Sequence, residues 1–485
     1  MLLLPAKARF PGINGVPLEK PSWLANPRTR ILVLLVCLAA GALATRAVDV
    51  ATGVLATVGI VSPGVAIALS LATGISKGVA GSSSVGIGGI PVDLTVFSAA
   101  LLAVHTTVHL LVLRSRIRVG RWAWLVVLSG IWVAISCAFI TWAPADVLMS
   151  AGWRYSLLAV PMALCVYVLC QDTRVLDTAV WAACAFSTIW VGAVLRAMVT
   201  SQGSTATIGS VNYISSATWA ALVLFSFLGL AADRRARPRW IAGAMVVPAL
   251  VVLIASPSRG ILLAVGLVVL GLLLARSGSV KASLRMFVLV VTVVGIGALV
   301  YTILMRTPMS ASIGRLRLWD LQSTSIATRL SLWVDGWHEF AAHPLFGWGI
   351  GMTEAQFGIG GYPHGLPQQV LFELGLVGCL IFWPMWLTGI IASLRAVRTY
   401  ALAGSASHIA AVTVLAQWCL VQTLDCMVSS SIADARGFLL CLAALVAADQ
   451  GRLHSNGHFP RPQGSGMNTC QSRKSETAPV EPSGE

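Results

Sequence analysis

The chain has 485 residues, of which 57% are hydrophobic and only 11% charged, with a formal net charge of +15. A soluble domain carries roughly 25% charged residues, so a string of soluble domains is excluded in favour of a polytopic membrane bundle with a soluble tail. Nucleic-acid binding is excluded as the meaning of the charge, because the basic residues form short runs between apolar segments without the aromatic interleaving such binding uses.

Residues 1–30 are basic (Lys7, Arg9, Lys20, Arg28, Arg30) and are expected in the cytoplasm. The first long apolar run lacks a cleavage site and is expected to stay as a span. A bilayer core of ~30 Å takes about 20 apolar residues as a helix. Runs of that kind stand at 92–113, 122–142, 152–171, 175–198, 214–232, 240–257, 260–276, 285–305, 367–393, 406–424 and 430–448. The stretch 31–80 is broken by Pro63 and several glycines. Basic runs at 114–121, 172–174, 233–239, 276–285 and 395–398 mark cytoplasmic connections. An even number of spans must then separate the N-terminus from 114–121, which assigns three short or tilted spans to 31–80.

The same alternation puts the connections near 143–154, 199–213, 257–259 and 425–436 outside, together with the whole of 306–366. That last connection is far longer than usual, and its content of Trp319, Trp333, Trp337, Trp348, Phe340 and Phe346 predicts a folded loop. Within it, Leu330, Trp333, Trp337 and Phe340 recur at helical spacing, giving an amphipathic helix suited to the membrane surface. Pro344 and the glycines at 347, 349 and 351 end it. The tail from 449 onward has no apolar period and reads as disordered and cytoplasmic. The expected architecture is therefore all-α: about 12–14 spans, divided into 31–305, the loop 306–366, three final helices in 367–448, and the tail. The ten cysteines are scattered without a CxxC pair, so neither a disulfide framework nor a zinc site is indicated. No internal repeat is evident.

Two elements of the loop region resemble a known family. The pattern W…F..HPL.G.G at 337–351, followed by His364 in PHG and then Gly375 and Gly378, resembles the O-antigen ligase and polysaccharide polymerase family of membrane glycosyltransferases. SPSRG at 256–260 resembles that family's Ser-Arg-Gly step at the end of a span. One departure stands out, since Gly365 occupies the position where the family usually has Asn, Ser or Gln. The resemblance implies a GT-C-like bacterial protein of the inner or plasma membrane. It would move a glycan from a polyprenyl-diphosphate carrier to a glycan or glycolipid acceptor at the outer face, among membrane lipid and with no nucleic acid and no cofactor.

Such a reaction asks for a base on the acceptor hydroxyl and cations on the leaving diphosphate. His364 suits the first near neutral pH, and a guanidinium suits the second. Arg259, Arg329 and Arg196 are the diphosphate candidates; Arg315 and Arg317 suit surface charges. The bland alternatives are an interfacial anchor for Arg259 and a helix-entry residue for His364. Pro344, Gly365, Gly375 and Gly378 have structural parts in the motif, the last two permitting close helix packing. His343 suits a turn. Glu373 lies two turns inside a predicted span, where a charge is costly, and is expected to pair with a basic residue or to be protonated. His105 and His109 share a helix face mid-span, where interhelical hydrogen bonding is favoured over metal. No DxD-like motif stands in an outer loop, so transfer is expected to be metal-independent. The rival class is a transporter or flippase for the same lipid-linked glycan, which would show polar groups mid-bundle and related halves.

Overall fold

The computed structural model describes residues 26–80, 84–87, 90–111, 117, 119–200, 211, 213–232, 239–256, 258–276, 295, 299, 302–303, 306, 324–357, 365–402, 407–428, 431–432 and 435–455. The expected span 285–305, the basic runs at 233–239 and 276–285, Arg315, Arg317, Trp319, His364 and the tail beyond 455 lie wholly or mostly outside these residues, as does half of the basic run 114–121.

The described chain is a helical bundle with one short hairpin. The region 31–80 holds three helices: α1 (Pro27–Leu43), α2 (Ala47–Gly59) and α3 (Pro63–Ala80). Asn26 caps α1 by accepting the Arg28 amide at 2.9 Å. The hairpin follows, β1 (Ser84–Ile87) pairing antiparallel with β2 (Ile90–Asp93) in the register Ser84↔Asp93. It is an addition to the all-helical expectation, and two four-residue strands are too short for a periodicity to announce them. Asp93 ends β2 and caps the next helix, α4 (Leu94–Leu111), accepting from the Thr95 and Val96 amides. The same carboxylate meets Lys77 at 2.5 Å, which ties the hairpin to the end of α3.

Next come α5 (Arg121–Ile140), whose last turn Ser136–Ile140 is π-helical, and α6 (Ala145–Leu169), with π-turns near its start. They are followed by α7 (Thr173–Thr200), α8 (Tyr213–Ala232), α9 (Arg239–Ala244), α10 (Val246–Ala255) and α11 (Arg259–Arg276). After the loop helices α12 (Thr324–Ala342) and α13 (Met352–Phe357), three long helices complete the chain: α14 (Leu366–Leu402), α15 (Ser407–Val428) and α16 (Arg436–Ser455). Two ends differ from expectation. Helix α14 runs straight through the basic run 395–398, and α16 continues to Ser455, past the expected boundary at 448.

Among the described residues, seven helices are long and apolar enough to cross a membrane, and Ala47–Gly59, Trp240–Ala255 and Gly260–Gly271 are shorter apolar helices. This is a polytopic membrane bundle, with fewer full-length spans among those residues than the apolar runs suggested. Its core lies where α7, α8, α15 and α16 meet, around the buried Trp181, Trp190, Phe225 and Phe438. Trp219 bridges Phe186 and Trp418 with ring centroids 5.5 and 5.4 Å away. His105 reaches from α4 to the Gly59 carbonyl of α2 at 2.8 Å, the interhelical bond expected of it.

Candidate active site at a broken helix

Helix α14 is not continuous. Gly375 has φ +65° and ψ −164°, a backbone state open in practice only to glycine. At that point the helical bonds from Leu376 to Phe372 and from Val377 to Glu373 are lost. Unsatisfied backbone groups at membrane depth cost several kcal/mol each, so something must replace those bonds.

The replacement is the HPLFGWGIG loop that follows α12. The Leu376 and Val377 amides donate to the Pro344 and Leu345 carbonyls at 3.0 and 3.1 Å. In return, the Trp348 and Gly349 amides donate to the freed Phe372 and Glu373 carbonyls at 3.0 and 2.9 Å. Trp132 Nε1 of α5 donates to the Leu374 carbonyl at 3.3 Å. Each of the four backbone groups released from those two bonds is thereby given a partner.

The glycines make this contact possible. Gly347, Gly349 and Gly351 have φ of +75°, +107° and +78°. A Cβ on Gly347 would fall 2.4 Å from the Glu373 carbonyl carbon, and one on Gly375 would fall 2.4 Å from the Gly347 nitrogen. On Gly378 a Cβ would meet Leu374 Cβ at 2.4 Å. Gly375 and Gly378 thus serve the break and its reclosure within α14, which differs from the helix–helix packing expected of them.

The π-helical end of α5 holds the far side of the loop. The Ile350 amide donates to Ser136 Oγ at 2.9 Å, and Thr141 Oγ1 donates to the Ile350 carbonyl at 2.8 Å. A π-turn re-aims side chains relative to an ordinary helix and recurs at functional positions. Here it turns Ser136 toward the loop.

At the centre of the assembly lies Glu373, with no exposed surface. Its Oε2 accepts the Gly351 amide at 3.0 Å and Gln369 Nε2 at 2.9 Å. Its Oε1 accepts the Thr353 amide at 3.1 Å and the Thr353 hydroxyl. Four donors fill the four acceptor positions of a carboxylate. The sequence pointed to a basic partner or a protonated acid; the partners found are loop amides, a hydroxyl and an amide side chain, and none of them is basic. A loop twenty or more residues upstream of the carboxylate is not visible in a helical pattern, so this arrangement escaped it. The one available signal was a charge within an apolar run.

Gln369 carries the network further. Its Oε1 accepts the Ile432 amide at 2.9 Å, joining α14 to the turn between α15 and α16. The last turn of α15 also crowds Gly365, where a Cβ would fall 2.7 Å from the Met427 carbonyl oxygen. The glycine in place of a polar residue at 365 therefore has a steric cause. Arg436, at the start of α16, donates to Thr73 Oγ1 of α3 at 2.7 Å. The sequence reading did not single it out, although an arginine closing the turn IADAR was its signal.

The remaining predicted residues lie elsewhere along the chain. Arg259 is the first residue of α11, directly after the buried Ser256 and Ser258. Arg329 lies within α12, and Arg196 is partly buried in the last turns of α7. His343 is exposed, its amide closing the end of α12 on Glu339 and Phe340. His364 itself falls in 358–364, outside the described residues, one position before Gly365. Helix α12 turns Leu332 and Gly336 inward, Gly336 against the Phe372 ring. Leu330, Trp333, Val334 and Trp337 stay exposed, although Trp337 also meets Phe372 edge-on at 5.8 Å.

Comparison with known proteins locates the same region. Residues 244–383 match the O-Antigen ligase family, a segment that runs from the end of α9 through the SPSRG turn, α12 and the loop to just past the break in α14. The resemblance drawn from the His364 and SPSRG motifs is borne out over this segment. No curated protein matches the chain.

Proposed function

We propose that this membrane protein is a glycosyltransferase of the O-antigen ligase or polysaccharide polymerase type. In this reading it moves a glycan from a polyprenyl-diphosphate carrier to a glycan or glycolipid acceptor at the outer face of a bacterial inner or plasma membrane. The observation that carries the reading is the coincidence of the family-matched segment with the sealed helix break that follows His364 along the chain. An elaborate set of loop-to-helix bonds at one end of a span suits a site needing fixed geometry, since misplacement by about 1 Å can cost ~10²-fold in rate.

In the proposed step the acceptor oxygen attacks the anomeric carbon and forms the new glycosidic bond. The bond from that carbon to the diphosphate oxygen breaks, and the acceptor proton passes to His364. Arg259, Arg329 and Arg196 hold the departing diphosphate as its charge develops. Cations that stay protonated can do this without a metal. The exposed aromatic face of α12 fits a lipid interface, where tryptophans are enriched, and would keep the loop at the depth of the carrier headgroup.

The test is a transfer assay in membranes containing a polyprenyl-diphosphate-linked glycan. His364→Ala and Arg259→Ala are each expected to lower transfer by at least about 10²-fold, the scale of general base and charge stabilisation, with normal protein abundance. Near-full activity in His364→Ala would remove its assigned role. A change of sidedness of the carrier without bond cleavage would replace the enzyme by a flippase. In a deletion strain, loss of all glycan attachment identifies a ligase, and a single attached unit identifies a polymerase.

A further inference from the structure

The segment that carries His364 is flanked by two described anchors, and both end on one carboxylate. Upstream, Gly351 and Thr353 donate to Glu373; downstream, Gln369 does so from one turn after Gly365. Glu373 sits on α14 itself, on the near side of the break at Gly375. Its side chain therefore fixes the start of α13 to the start of α14. Gln369 passes the same constraint to Ile432, in the turn that leads to α16.

A buried carboxylate is an expensive way to hold two pieces of backbone, and an apolar contact would be cheaper. What the carboxylate adds is direction. Two oxygens with four filled lone-pair positions fix the Gly351–Thr353 amides and the Gln369 side chain in one relative geometry. The Glu373 side chain hydrogen-bonds to both sides of 358–364.

We infer that Glu373 is a positioning residue for transfer: with Thr353 and Gln369 it sets the geometry of the chain on either side of His364. The inference rests on the function proposed above, and one of its readouts does not. The carboxylate touches neither sugar nor diphosphate; it acts through the two flanks. Glu373→Gln keeps the shape but turns one acceptor into an NH2 donor, which then faces amides and a hydroxyl that also donate.

Two measurements test this. In membranes, Glu373→Gln is expected to lower kcat at least about tenfold while KM for the lipid-linked donor stays within about threefold, the pattern of lost transition-state alignment rather than lost binding. In purified detergent-solubilised protein carrying Tyr362→Cys as a reporter, Glu373→Gln is expected to speed modification by a charged maleimide at least about fivefold over the reporter alone, as local anchoring is lost. Thr353→Val, which removes one donor and keeps the shape, decides the matter if Glu373→Gln fails to accumulate: it should lower kcat about threefold and raise the labelling rate in the same direction. Unchanged labelling with unchanged kcat in either folded variant would overturn the inference, as would a rise in KM with kcat untouched. A wild-type chain without transferase activity would defeat the proposed function alone, and the labelling arm would still judge whether Glu373 holds the two flanks.

Discussion

Helices α7 and α14 are both long and apolar, and both depend on glycine, but in opposite ways. Along α7 the helix is unbroken and half of its residues are buried. Gly192 there faces Gly41 of α1; a Cβ on Gly192 would lie 2.3 Å from the Leu38 carbonyl oxygen, and one on Gly41 would lie 2.1 Å from that of Ile189. These glycines bring two helix backbones together, the usual use of small residues between membrane helices. In α14 the glycine instead permits a backbone state that ends the helix, and a loop from outside the helix takes over its hydrogen bonds. The contrast separates a packing element from an element shaped for a site. The polar groups follow the same division: a carboxylate with four donors sits beside the break, while α7 meets α1 through Arg30 stacked over Trp181 at 4.7 Å.

Substitutions can break or sharpen that comparison. The largest effect is expected from Gly375→Ala, which combines a forbidden backbone state with an overlap onto Gly347. It should cost at least about 3 kcal/mol, seen as a fall in thermal midpoint in detergent, and should abolish transfer in whatever protein remains folded. Gly192→Ala should cost about 2 kcal/mol by forcing α1 from α7, yet leave activity per folded molecule near the wild-type level. Equal loss of specific activity in both variants would erase the distinction between the two helices.

The smallest effect belongs to the Lys77–Asp93 pair. Burial pushes the Asp93 carboxyl up, but the Lys77 hydrogen bond and charge and the Thr95 and Val96 amides outweigh it and hold its pKa below the ordinary value. A depressed folded value means that the pair stabilises above the ordinary carboxylate pKa of ~3.9. That contribution fades as the pH falls through the lower folded value. Asp93→Asn should therefore cost less than about 1 kcal/mol at neutral pH, the scale of an exposed ion pair. The difference from wild type should vanish in strong acid, as followed by thermal unfolding across pH.

The long helices were legible in the sequence because they are apolar runs of about bilayer length, and burial of such a run does not depend on which neighbour covers it. The crowded stretch 31–80, to which charge placement assigned three spans, holds three helices, none of them among the seven described helices long and apolar enough to cross a membrane. The loop helix α12 was legible for a similar reason, although the face it turns inward is Leu332 and Gly336 rather than the tryptophans. The motif glycines were visible as a pattern without their cause.

What the sequence determined by itself is thus the class of molecule, the placement of most helices, and the short region that resembles a ligase. Those properties depend on local composition and on spacing along the chain. The tertiary structure alone decided that α14 breaks at Gly375, that the HPLFGWGIG loop seals the break, and that Glu373 joins Thr353 to Gln369. Each of these is a hydrogen bond or a close approach between residues distant in sequence. Such contacts follow from where the bundle brings the backbone together, and no periodicity in the chain encodes them.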